Sequence, residues 1–175
     1  MKLIGRRSVA SVLRWVLGFI NVFVTVGVVV TGAGLLVSML VPDFASGFLD
    51  GLARDTKGEA PPGIRASQQL VYLAAFVASL STWWVLNRLR RMFLAVNQGD
   101  AFDPANVGRL QGVGTGLIGI QVSFLILAVN VPAGIPGNLE YDFDLGGWLG
   151  ILIVFMLAEV FRQGAAMRDD QQMTV

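Results

Sequence analysis

Residues 88–112 read RLRRMFLAVNQGDAFDPANVGRLQG and separate two apolar runs, Leu70–Leu86 and Val113–Val131. Leu89, Met92, Phe93 and Val96 recur at i, i+3, i+4 and i+7, which is one apolar face of a helix. The helix of the first run therefore continues to Asn97, and Gly99 supplies its C-cap. Asp103 followed by Pro104 starts the next helix, because a carboxylate caps free N–H groups and proline is tolerated at the first helical position. The stretch predicts a helical hairpin with Phe102 at its tip, projecting from the ends of two longer helices. The medium around those helices decides the fold class.

Of 175 residues, 54% are hydrophobic and 14% are charged, against about 25% charged in soluble domains. With a mean hydropathy of +0.65, this composition belongs to membrane proteins. Four segments reach the roughly 20 residues that a spanning helix needs, at about 13–41, 68–88, 112–131 and 145–162. The first follows Lys2, Arg6 and Arg7, as a signal peptide would, but it is far longer than the apolar part of a cleavable signal and reads as an anchor. The expected fold is an all-α membrane protein of one domain, residues 1–175. Four transmembrane helices form a bundle, helices two and three extend into a cytoplasmic hairpin (88–112), and a charged tail follows (163–175).

Orientation follows from the distribution of Lys and Arg. Placing both termini in the cytoplasm puts ten bases inside and three outside, the latter being Arg54, Lys57 and Arg65. Trp15, Trp83 and Trp84 then fall near the inner interface, and Tyr72, Tyr141 and Trp148 near the outer one. Outside, Phe44, Phe48 and Leu52 have the spacing of a short surface helix, and the loop from Pro132 to Leu145 carries acids and no base.

Cys and His are both absent, which removes disulfides, thiolate nucleophiles, the commonest general base and the commonest metal ligand. The glycines between residues 98 and 112 lack the spacing of a phosphate-binding loop. No catalytic residue, cofactor or metal is therefore expected. Within the spans the polar residues are Asn21, Gln121, Asn130 and Glu159, with Thr25. Intramembrane ionisable groups are candidates for function, but Glu159 has Arg162 at i+3 and reads as a structural ion pair, with Arg88 or Arg109 on a neighbouring helix as the alternative partner. Small residues recur at spacing four in Gly34/Ser38, Ala74/Ala78, Ala75/Ser79, Gly112/Gly116 and Gly146/Gly150. They suit close packing within the bundle, with a homodimer face as the alternative.

The chain closes on AEVFRQGAAMRDDQQMTV, from Ala158 to Val175. This end resembles a terminal FxxGxxLxxDxxLTV pattern, and the hairpin resembles LRxxFxxxxxGxxFxxxNxxRLxxxG. Together they are similar to the bacterial membrane family called domain of unknown function 2975. Met167 and Met173 stand where leucine is usual, and Ala105, Asn106 and Val107 precede Gly108 rather than a base. The resemblance covers the second to fourth spans. It implies four spans, no enzymatic activity, and a gene beside that of a small helix-turn-helix regulator.

The resulting expectation is a protein of the bacterial cytoplasmic membrane that binds or sequesters such a regulator, touching no nucleic acid itself. Arg90, Arg91, Phe102, Asn106 and Arg109 on the hairpin, and Arg168, Asp169, Asp170 and Thr174 on the tail, are the candidate docking residues. Arginines would meet acids of the partner, and Phe102 would anchor it. One alternative is a small channel or transporter subunit, with Asn21, Gln121, Asn130 and Glu159 lining a path. A purely structural membrane protein is the other.

Overall fold

The structure, a computed structural model, describes residues 9–41, 68–97, 103–130 and 145–173. They form four helices: α1 (Val9–Leu40), α2 (Gln68–Asn97), α3 (Pro104–Asn130) and α4 (Leu145–Met173). All four are long and apolar enough to cross a membrane. At a rise of 1.5 Å per residue they measure about 40–48 Å, against a hydrocarbon core of about 30 Å, so each has turns to spare. Phe44, Phe48 and Leu52, the acidic loop, Gly99, Phe102 and Thr174 lie outside the described residues.

The helix ends follow local chemistry. α1 closes with the Val41 N–H donating to the Val37 carbonyl at 2.7 Å. Pro42 follows, which lacks an N–H and disfavours helical backbone before it. α3 begins as expected. The Ala105 N–H donates to Asp103 Oδ1 at 2.9 Å, and the Asn106 N–H to the Asp103 carbonyl at 2.8 Å. α2 runs unbroken to Asn97. α4 differs from the expected short span plus tail, since one helix continues to Met173. Gln163, Ala165, Ala166, Met167 and Arg168 are good helix formers. They carry the helix on after the apolar run has stopped.

Packing is antiparallel between helices that follow one another in sequence. Gly34 of α1 lies against Tyr72 of α2, Gly32 against Phe76, and Gly18 against Arg90. Between α2 and α3, Gly112 meets Trp84 and Arg88, Gly116 meets Val85, and Gly119 meets Ser81. The Trp84 Nε1–H donates across this seam to the Gly112 carbonyl at 3.0 Å. Gly114, on another face of α3, meets Phe155 of α4. Among the described residues, α1 packs extensively only on α2, and α4 only on α3. The bundle is therefore open. About a third of the α3 span is buried (33%), against 6% for α1, so the centre of mass of the packing lies on α3 and its seams.

Large apolar side chains such as Phe19, Phe23, Val29, Ile153 and Met156 face outward. In water such faces would demand cover; in a bilayer the acyl chains provide it, and helices associate through close packing instead. Some of the spacing-four pairs serve the interior, whereas Gly146 is exposed and a Cβ at Gly150 would meet nothing within 4 Å. Ala74 and Ser38 are buried, and the Gly112/Gly116 pair faces α2. Hydroxyls in the spans return to their own helix, as in Thr25 to the Asn21 carbonyl, Ser79 to Ala75 and Ser123 to Gly119. Such back-bonding satisfies them without water.

Candidate functional site

The antiparallel contacts fix relative heights. Glu159 is one turn beyond Phe155, which meets Gly114, so it stands level with about Leu110 and Arg109. Gly112 meets Arg88, and Gly18 meets Arg90. Arg88, Arg90, Arg109, Glu159 and Arg162 therefore form one rim, at the end where α1 starts and α4 finishes. Past that rim α2 continues to Asn97, α3 begins at Pro104, and α4 continues to Met173. On α4 the eleven residues after Arg162 add about 16 Å. α1 likewise runs nine residues, about 13 Å, beyond Gly18 to Val9, so all four described helices continue past this level.

The start of α3 is held by a local network. Arg109 Nη1 donates to Asn106 Oδ1 at 2.7 Å and lies 3.5 Å from Asp103 Oδ2. The first turn of α3 is thereby tied to its own cap. Asn106 is completely buried, so in this conformation it holds the hairpin rather than offering itself to a partner. The sequence offers Asn106 as a docking residue of the hairpin; its position in the first turn of a packed helix is what buries it. Arg88 stacks over the Trp84 ring, 4.4 Å from its centroid, within the same seam as Gly112.

Arg90 and Arg91 behave differently. With Asn87 and Leu94 they line a cavity of about 290 Å³. The Arg90 guanidinium lies over Gly18, where a Cβ would be 3.8 Å away. Among the described residues no carboxylate pairs with either arginine, whereas Arg109 and Arg162 each have one. Asn87 and Leu94 were missed from sequence. Their spacing with Arg90 and Arg91, at i, i+3, i+4 and i+7, was available as one helical face of mixed chemistry.

On α4, Arg168 and Met167 are exposed. Asp169 and Asp170 fall in the last turn of the helix, and their side chains lie outside the described residues, as does all of Thr174.

The polar residues within the spans do not converge. Glu159 accepts from Arg162 Nε at 2.8 Å, Arg162 Nη2 at 2.6 Å and Gln163 Nε2 at 3.1 Å. Its partner is the neighbour in sequence, and the pair is exposed on α4. Gln121 is buried on α3 and Asn21 on α1, helices that do not pack extensively on each other. The Asn21 Oδ1 has no hydrogen-bond partner. Asn130 ends α3, with its side chain outside the described residues. Among the described residues no group of three or more acidic side chains is placed to hold a metal ion.

Against known proteins, the family model described as "Protein of unknown function (DUF2975)" matches residues 51–175. No curated protein and no solved structure matches the chain significantly. The match covers α2, α3 and α4 in full, and the chain belongs to this family.

Proposed function

We propose that this member of the family is a membrane-seated docking platform for a small helix-turn-helix regulator. It lies in the bacterial cytoplasmic membrane with both termini inside. The observation that supports the reading is that all four described helices continue past a single arginine-rich rim, α4 the furthest, by eleven residues. That end holds ten of the thirteen bases, the bias expected of a cytoplasmic face. The helix ends there offer a composite surface to a soluble partner. The regulator as occupant comes from the family resemblance and its gene neighbourhood.

Within this reading the residues divide by height. Asp103, Asn106 and Arg109 build the base. Met167 and Arg168, with the segments that carry Phe102, Asp169, Asp170 and Thr174, form the face that meets the partner. Met167 is 63% exposed, five residues beyond Arg162 on α4, and an exposed apolar residue among charges suits an interface anchor. Holding the regulator there would keep it from DNA. The transport alternative gains nothing from the geometry, because Glu159 is closed by Arg162 and the buried Gln121 and Asn21 stand on helices that do not pack extensively on each other.

The test is a crosslinking capture from intact cells. Tagged wild-type protein is expected to bring down a small helix-turn-helix protein, and Met167→Asp with Arg168→Glu to lose at least about tenfold of it, as for a disrupted interface anchor. Recovery of no such protein by the wild type overturns the reading. Equal recovery by the variant moves the surface off α4.

A further inference from the structure

We propose that the cavity lined by Asn87, Arg90, Arg91 and Leu94 is a binding site for the phosphate headgroup of a membrane lipid. The inference rests on the chain being membrane-embedded with its rim at this height, and is independent of the regulator.

Three observations converge on it. The first is unspent charge. The other rim arginines are occupied: Arg109 by Asp103 and Asn106, Arg162 by Glu159, and Arg88 by the Trp84 ring. Arg90 and Arg91 are adjacent cations with no carboxylate among the described residues, opening on one cavity. Adjacent cations repel, and an anion shared between them removes the repulsion. The guanidinium fork presents paired N–H donors that match phosphate oxygens.

The second observation is shape. Gly18 on α1 leaves room for the Arg90 guanidinium to lie across the helix, with a Cβ position at van der Waals distance. Arg90 is thereby held beside the cavity instead of reaching away into water. Asn87 adds an amide that both donates and accepts, as a glycerol hydroxyl or an ester oxygen needs. The cavity of about 290 Å³ has the scale of a headgroup rather than of a protein segment.

The third is height. The pocket is level with the Gly18–Arg90 contact, where Arg88, Arg90 and Arg91 follow the apolar run Leu70–Leu86 of α2. Phosphates of the adjoining leaflet sit at that level, and basic pockets on membrane helices take anionic lipid there. A soluble partner has its access further out, at the ends of α3 and α4. These considerations favour lipid phosphate over a protein carboxylate.

The experiment is native mass spectrometry of the full-length protein in detergent, delipidated and then titrated with defined probes. Wild type is expected to take up phosphatidylglycerol, to ignore diacylglycerol, and to be indifferent to an equal concentration of glycerol phosphate. Arg90→Gln with Arg91→Gln should weaken uptake by roughly tenfold or more, as expected for two arginines near a lipid surface. Arg168→Gln should leave it unchanged. Gly18→Leu, which keeps both charges but displaces the guanidinium, should also weaken uptake, so a poorly folding double variant does not decide the matter. Equal uptake of phosphatidylglycerol by wild type and both pocket variants overturns the proposal. Uptake of diacylglycerol as strong as phosphatidylglycerol does so too, because the phosphate is then not recognised. Competition by glycerol phosphate alone reassigns the pocket to a soluble phosphate. Loss of regulator capture by the arginine variant with lipid uptake intact reassigns it to the protein partner.

Discussion

On the α3 side of α2, Ser81, Trp84 and Val85 fill the space that Gly112, Gly116 and Gly119 leave, and a tryptophan bonds across to a backbone carbonyl. On the α1 side a groove of about 370 Å³ stays open between Phe23, Val24 and Gly27 and, opposite them, Ala78, Ser79 and Thr82. A Cβ at Gly27 would meet nothing within 4 Å. One helix thus has a seam filled along its length and another that is tight at Gly32 and Gly34 but opens at Gly27. The difference shows that small residues do not by themselves make a close contact in a membrane; a complementary side chain must face the gap. The filled seam lies wholly inside the region matched by the family model, and α1 lies outside it.

Substitutions on the two seams should separate them. Gly116→Leu has the largest expected effect. A Cβ there would stand 2.5 Å from Val85 Cγ2, and overpacking of this kind costs about 1–3 kcal/mol or more. Thermal unfolding of the purified protein, followed by helical circular dichroism, should show the loss; an unchanged midpoint would mean the α2–α3 seam is not close-packed. Trp84→Phe comes next. It keeps a ring under Arg88 but removes the donor to the Gly112 carbonyl, for about 1 kcal/mol in the same assay. Gly27→Ala should be the smallest and of opposite sign. With no clash, it should stabilise α1 by up to about 1 kcal/mol through helix propensity. A marked loss at Gly27 would erase the contrast between the seams.

Much of the frame is legible in the residues. Asp103 and Pro104 mark the start of α3, the i, i+3, i+4 pattern carries α2 to Asn97, and the i+3 spacing pairs Glu159 with Arg162. These are local signals, and local chemistry decides them. Other features depend on which helix faces which. The Gly112/Gly116 spacing announces a close approach but does not say that Trp84 and Val85 answer it. Asn106 looks exposed in a glycine-rich stretch, yet the first turn of α3 buries it and Arg109 takes its oxygen. The extension of α4 to Met173 was hidden because apolar periodicity stops while helix propensity does not. Asn87 and Leu94 escaped for a related reason: periodicity was sought in apolar residues, and theirs is a mixed face.

The open arrangement has a consequence for how the chain is made. Every extensive seam joins helices adjacent in sequence, α1 with α2, α2 with α3 and α3 with α4. As each later span leaves the ribosome, its partner is already in the bilayer, and the contact closes over a connection of 27, 6 or 14 residues at an entropic cost that grows only slowly with length. No early helix must wait, with its packing face unmatched, for the last one to arrive. Synthesis from the N-terminus thus coincides with the order of assembly.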